Sequence, residues 1–283
     1  MADPAAVERM VRNEADMAYR RRVQTIFEWL DPQDGDRILD AGSGRGFYLK
    51  FLRAASGADL TGLEYEHEFA SMARDALGDL PGITLVSGSV YDPPFPDEAF
   101  DKIILSEVLE HLPDDAGGLR SLARVLKPGG LIAITVPNAN YPFWWDPINK
   151  TLETLFHTHV RRGAFAGIWA NHVRLYTHDE LFRTVWRSGL ELVDARSFTH
   201  HSFPFIHNIV YGFGKAALEA GLLPGGMANA ADRHNWDGDR GSPLNPVNLG
   251  LRLFELFDRP NRMSEPPSRS TVNLCALARK PLV

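Results

Sequence analysis

The stretch Arg37–Leu52, RILDAGSGRGFYLKFL, constrains this chain more than any other. Ile38 and Leu39 begin it as a short apolar strand, and Gly42, Gly44 and Gly46 follow on alternate positions after Asp40. A backbone without Cβ atoms at those points can turn sharply and lie against a ligand. The first amides of the helix that follows then face that ligand. Such a strand, turn and helix belong at the mouth of an α/β sheet. The spacing also selects among ligands. A dinucleotide fingerprint ends on the third glycine of G-x-G-x-x-G, and Phe47 stands in that place.

The remainder of the chain alternates in the same rhythm. Short apolar segments predict strands at Arg37–Ala41, Asp59–Glu64, Ile83–Ser87, Lys102–Ser106 and Leu131–Val136. Helical patterns predict Tyr48–Ala55, Glu66–Leu77 and Ala116–Leu126 between them, and Lys127-Pro128-Gly129-Gly130 turns the chain into the fifth strand. Before them, residues from about Ala5 to Leu30 read as one helix, with Val23, Ile26, Phe27 and Leu30 on its buried stripe and Asp31-Pro32 as its stop. Thr177-His178-Asp179-Glu180 is a capping box that opens a helix to about Ser188, followed by strands at Leu190–Phe198 and Thr271–Arg279. The expected fold is a Rossmann-like, doubly wound, mostly parallel sheet of seven strands, with helices on both faces and a cap built from insertions. The expected parts are an N-terminal helical segment (1–33), a cofactor-binding half (34–136) and a first insertion (137–176). A helix with the sixth strand (177–198), a second insertion (199–270) and the last strand with its tail (271–283) complete the chain. Within the second insertion, Ile209–Leu223 reads as helix and Ala231–Asn248 as a polar loop.

Composition narrows the partners. A net charge of -6 argues against nucleic acid, which needs a concentrated basic face. The one basic run, Arg20-Arg21-Arg22, reads as a solvated helix surface because consecutive helical residues point apart. A single cysteine, Cys275, excludes an internal disulfide and a cysteine-built zinc site, and fits a cytoplasmic location. No signal-peptide pattern opens the chain, and no apolar run approaches the roughly 20 residues that cross a bilayer. Peripheral membrane contact through the apolar Phe203–Phe213 is disfavoured.

Five motifs follow in order: Asp40-Ala41-Gly42-Ser43-Gly44-Arg45-Gly46, Leu63-Glu64, Gly88-Ser89-Val90-Tyr91-Asp92 with Phe95-Pro96-Asp97 and Phe100-Asp101, Ser106-Glu107-Val108-Leu109-Glu110-His111, and Leu126-Lys127-Pro128-Gly129-Gly130. Over roughly Asp34–Pro137 this set resembles the class I S-adenosylmethionine-dependent methyltransferases, within them the small-molecule branch of ubiquinone and natural-product type. The resemblance implies S-adenosylmethionine as cofactor and S-adenosylhomocysteine as product. It implies a cofactor site of Asp40, Gly42, Ser43, Gly44, Glu64, Tyr65, Ser89, Val90, Ser106 and Glu107, with Glu64 accepting from the ribose hydroxyls. Ser89 departs from the family's usual aspartate, and a neutral hydroxyl accepts more weakly from an adenine amino group; Asp92 is a substitute.

Methyl transfer from a sulfonium is an in-line displacement, so alignment and exclusion of water matter most. Where the acceptor must lose a proton, His111 is the candidate catalytic residue, just beyond the fourth strand. Asn138, Tyr141, Trp145, His172 and Tyr176 are the acceptor-binding candidates, and the aromatic content of the first insertion suits an aromatic or lipid-like small molecule. His157, His200 and His201 are further candidates for lining that pocket. No H-x-x-x-H pair or carboxylate cluster points to a metal. The leading expectation is methylation of a small molecule at a hydroxyl oxygen. The alternatives are C- or N-methylation, a cofactor-binding protein without catalysis, and a nicotinamide dehydrogenase, which Phe47 disfavours.

Overall fold

The computed structural model describes residues 4–78, 80–163, 165–206, 209, 221 and 241–282. The expected helix at Ile209–Leu223 and the loop segment Ala231–Arg240 lie outside the described residues, except for Ile209 and Gly221. Of the stretch Phe203–Phe213 considered for membrane contact, residues 203–206 and 209 are described and the others lie outside.

Among the described residues, seven strands form one sheet: β1 (Arg37–Ala41), β2 (Asp59–Glu64), β3 (Ile83–Ser87), β4 (Phe100–Ser106), β5 (Leu126–Pro137), β6 (Glu191–Phe198) and β7 (Asn273–Arg279). Their order is β3-β2-β1-β4-β5-β7-β6, and only β7 runs antiparallel, against both β5 and β6. The order reverses between β1 and β4, which pair with Leu39 opposite Ile103. That reversal opens a crevice at the carboxyl ends of the strands, where open α/β sheets bind ligands. β5 begins five residues earlier than its apolar run, at Leu126. Leu126 pairs with Phe100 across an irregularity that ends at Lys102–Leu131, so Lys127–Gly130 is an offset within the strand rather than a turn before it.

Alternation along the strands supplies two apolar layers. Ile38, Leu60, Ile104 and Ala133 face one layer, shared with α2 (Met17–Leu30), α3 (Phe47–Ala55) and α4 (His67–Leu77). Leu39, Leu63, Ile103 and Ile132 face the other, shared with α5 (Asp115–Val125) and α7 (His178–Arg187). Each fully buried aliphatic side chain adds roughly 1.5–3 kcal/mol. The capping box of α7 is present: Thr177 accepts from the Glu180 amide while the Glu180 carboxylate takes the Thr177 amide.

Several sequence expectations are corrected. The single N-terminal helix is two, α1 (Pro4–Met10) and α2, because Asp16 caps a new start by accepting from the amides of Ala18 (2.8 Å) and Tyr19 (3.1 Å). Arg20-Arg21-Arg22 is not a solvated face. Arg20 pairs with Glu255 at 2.9 Å, Arg21 with Asp258 through both carboxylate oxygens, and Arg22 with Glu107 at 2.9 Å. The three directions do diverge, as helix geometry requires, but each ends on an acid from another element. The insertions also hold helices, α6 (Pro147–Phe156) and α8 (Pro246–Asp258). The start of α8 takes Pro246–Asn248 out of the expected loop.

The insertions pack as a cap around one apolar cluster, with Tyr141, Trp145, Ile168 and Leu175 from the first and Ile206 from the second, joined by Ala18 of α2 and by Val272 just before β7. Asp146 is its keystone. This buried carboxylate accepts from the Asn149 amide, the Asn149 side chain (2.7 Å) and the Ile168 amide (3.0 Å).

Candidate functional site

The turn after β1 is held open from below. The amides of Gly42 and Ser43 both donate to the Leu63 carbonyl at the end of β2, and the Gly46 amide donates to the Ser43 carbonyl. Gly42 and Gly46 take φ of 85° and 79°, and a Cβ on either would meet Val108 or Leu77 at 2.5 and 2.8 Å. Gly44, with φ of 51°, would meet none of the described atoms within 4 Å. Two of the glycines therefore let the turn pack onto the sheet, while the third faces open space.

Two carboxylates stand behind that space. Glu64, 9% exposed, accepts from the Gly44 amide at 2.7 Å and from the Glu66 amide at 2.8 Å. Its oxygens keep further lone pairs. Asp40 is buried, and its Oδ2 has no hydrogen-bond partner among the described residues. Burial, followed by the charge of Glu64, pushes its carboxyl up to about 8. The Ser43 hydroxyl is likewise buried without a described partner. Buried polar groups are nearly always satisfied, so orphaned oxygens around an open glycine turn mark a place built for a polar ligand.

The other expected cofactor residues border the same crevice in different ways. Tyr65 is 74% exposed at the tip of β2. The Ser89 hydroxyl accepts from the Tyr91 amide at 3.2 Å, and Val90 is buried beside it. The Ser106 hydroxyl lies 3.1 Å from that of Tyr48 and 2.9 Å from that of Thr135. Glu107, at φ of 56°, turns its carboxylate back to the Thr135 hydroxyl and the Arg22 guanidinium.

Past Glu107 the chain makes a single helical turn, Leu109–His111, that buries Glu110 completely. Neither Glu110 oxygen has a hydrogen-bond partner from another described residue. Burial, then the charge of Glu107, raises its carboxyl well above the ordinary carboxylate range. The cap arrives here. The Val173 amide donates to the Glu110 carbonyl at 2.8 Å, and His111 Nδ1 donates to the Asn171 carbonyl at 3.1 Å. This brings His172 onto His111, with ring centroids 4.8 Å apart. Sequence reasoning passed over Glu110, because an acid beside a predicted base gives no sign that the fold will bury it.

The acceptor candidates divide. His172 is half-buried at this corner. The other four are interior to the cap and its seam with the sheet. Tyr141 is 0% exposed and donates to Glu153 at 2.8 Å under the Lys150 ammonium. Trp145 is packed in the cap cluster. Asn138 donates to the Thr271 hydroxyl and accepts from the Asn140 amide, both at 2.8 Å. Tyr176 donates to Asp115 at 2.7 Å. Phe143, Trp144, His200, His201, Pro204 and Phe257 line an apolar cleft of about 750 Å³ beyond them. His157 ends α6 in a left-handed conformation.

Known proteins match the chain unevenly. Residues 39–134 match the family model described as "Methyltransferase domain". "Methyltransferase GfsG" of Streptomyces halstedii is 31% identical over 135 residues, 47% of each chain. "Demethylmenaquinone methyltransferase" of Listeria welshimeri is 31% identical over 122 residues, 41% of this chain and 52% of the relative. The chain thus spans about half the length of these curated relatives. Among solved structures, the [4+2]-cyclase SpnF aligns with a TM-score of 0.55 at 18% identity, over 95% of this chain and 86% of that one, a likeness of fold alone.

Proposed function

We propose that this chain, whose residues 39–134 match the family model described as "Methyltransferase domain", is a class I methyltransferase that transfers a methyl group from S-adenosylmethionine to a hydroxyl oxygen of a small molecule held beneath the cap. The observation that carries the reading is the open turn at Gly44 with the Glu64 carboxylate behind it and the orphaned oxygens of Asp40 and Ser43 around it. These residues fit the cofactor. Glu64 has lone pairs left for two ribose hydroxyls, and the space over Gly44 admits a ligand against the backbone. Ser89 and Val90 border the adenine side, with Tyr65 beside the ribose, and Ser106 and Glu107 border the end toward the methyl donor. S-adenosylmethionine supplies, when bound, a methyl group on a sulfonium that an aligned nucleophile displaces.

The chain's own part is to align and to exclude water. His111 is the proposed catalytic contact: a carbonyl can only accept, so the bond to Asn171 commits Nδ1 as a donor and leaves Nε2 as the ring nitrogen free to meet the acceptor at the carboxyl end of β4. His172 is the cap residue placed to touch the acceptor. Asn138, Tyr141, Trp145 and Tyr176 serve the acceptor site from behind, by fixing the cap that encloses it. The apolar cleft walled by Phe143 and Trp144 suits an aromatic or lipid-like acceptor. The family match stops at residue 134, before the cap, and the cap is the part of the chain to which acceptor choice is assigned.

Calorimetry on Glu64→Ala tests the cofactor assignment. The loss of one or two charge-assisted hydrogen bonds should weaken S-adenosylmethionine binding by about tenfold or more. An unaltered affinity would remove Glu64 from the ribose site.

A further inference from the structure

Three side chains meet at the corner between the turn after β4 and the cap. His111 Nε2 lies 4.0 Å and His172 Nε2 lies 3.8 Å from the same oxygen, Glu110 Oε1. One ligand atom from each of the three residues falls within 4.8 Å of the others. Both separations are too long for hydrogen bonds, so no proton shared along either line joins them. Glu110 is fully buried with neither oxygen satisfied by a described neighbour. With Nδ1 committed to the Asn171 carbonyl, His111 turns its other ring nitrogen toward the same oxygen.

We infer that Glu110, His111 and His172 bind a divalent transition-metal cation. Two imidazoles and one carboxylate are a donor set of the zinc type, with a further position left for water or substrate. Ligands 2.0–2.2 Å from a tetrahedral ion stand roughly 3.3–3.5 Å apart. The two separations from Glu110, 3.8 and 4.0 Å, reach that spacing by a contraction of a few tenths of an ångström, and the three ligand atoms, now within 4.8 Å of one another, close by about 1 Å at their widest. The surroundings also match. A histidine ligand usually donates its other ring N–H to a backbone carbonyl, which sets the tautomer, and His111 does this to Asn171. The bond from the Val173 amide to the Glu110 carbonyl clamps the cap segment, so that Asn171 and Val173, on either side of His172, are both tied to the turn.

The use of this ion rests on the methyl-transfer reading. The open position would be the one for the acceptor. A hydroxyl of the acceptor bound there becomes more acidic and releases its proton to solvent. Its oxygen then forms the bond to the methyl carbon as the carbon–sulfur bond breaks, and the electron pair stays on sulfur. His111 is then a metal ligand, and no side chain need take the proton.

Metal uptake by the untagged full chain, measured without cofactor or acceptor, tests the site. After treatment with chelator, the wild type should take up one equivalent of Co²⁺ with visible absorption bands that Zn²⁺ abolishes. Glu110→Gln, His111→Ala and His172→Ala should each weaken uptake by about 100-fold or more, whereas His157→Ala should not change it. Glu110→Gln keeps the shape of the side chain, and its circular dichroism separates loss of a ligand from loss of fold. Absence of Co²⁺ uptake by the wild type, or equal uptake by wild type and the three variants, overturns the site. A protein that binds S-adenosylmethionine but no Co²⁺ loses the metal and keeps the methyl-transfer reading. One that binds Co²⁺ but not the cofactor keeps the site and loses that reading.

Discussion

The turn after β1 and the corner after β4 lie at the same edge of the sheet, yet they are built over different distances in the chain. In the turn, the decisive bond runs from the Gly44 amide to Glu64, 20 residues away, within one strand–helix–strand unit. In the corner, His111 meets the carbonyl of Asn171 across 60 residues, and only the folded cap makes the meeting. The turn is backbone held open by missing side chains. The corner is side chains pressed together by packing from above. Damage to the cap should therefore appear as lost stability, and damage to the turn as lost cofactor binding.

The largest effect is expected at the cap's keystone. Asp146→Ala leaves two buried amides, those of Asn149 and Ile168, without an acceptor and takes one of three acceptors from the Asn149 side chain, at a cost of about 3 kcal/mol in unfolding free energy. Cofactor affinity should stay within about twofold. Denaturant melts showing less than about 1 kcal/mol of change, or a matching collapse in affinity, would erase the distinction between the regions.

Next in size, Gly42→Ala and Gly44→Ala separate the two duties of the turn. Both substitutions place an alanine at positive φ, worth roughly 1–2 kcal/mol each. The methyl at Gly42 also meets Val108, so that variant should be the less stable. The methyl at Gly44 meets no described protein atom and should instead cost cofactor affinity, about tenfold or more. Equal melting temperatures with equal affinities would show that the open side is not the ligand's.

A further effect is a slope with pH. Asp40 holds its proton in the folded chain up to about 8, whereas an unfolded aspartate ionises near about 4. Between those limits the folded state binds more protons, so this group's contribution to stability falls as pH rises. Asp40→Asn removes the slope. Its melts should coincide best with wild type near about pH 4 and exceed it by a margin that grows toward about pH 8, at most about 1.4 kcal/mol for each pH unit. A constant difference across that range would mean that Asp40 is ionised in the folded chain.

The predicted spans of β1, β2 and β3 coincide with the structure, because buried parallel strands declare themselves as short apolar runs between breakers. The two helices described in the insertions, α6 and α8, are absent from the sequence expectations and share one signal. Asp146-Pro147 opens α6 and Asn245-Pro246 opens α8, each with the capping side chain accepting from the amide three residues on and proline in the first turn. Proline reads there as a mark of loop, although the first turn of a helix needs no amide from it. No comparable signal exists for the arginine run. Which acids lie opposite Arg20, Arg21 and Arg22 depends on α8 and on the turn after β4, both distant in sequence.

By itself the sequence determined the alternation of strand and helix, the glycine turn and the acid at the tip of β2, since each depends on residues within one local unit whose backbone preferences are strong. Only the tertiary structure decided that Glu110 is buried, that His172 lies against His111, and that the buried Tyr141 and Tyr176 give their hydroxyls to Glu153 and Asp115. The reason is physical: burial and long-range contact depend on where the second insertion-bearing half of the chain comes to rest, and no local preference encodes that position.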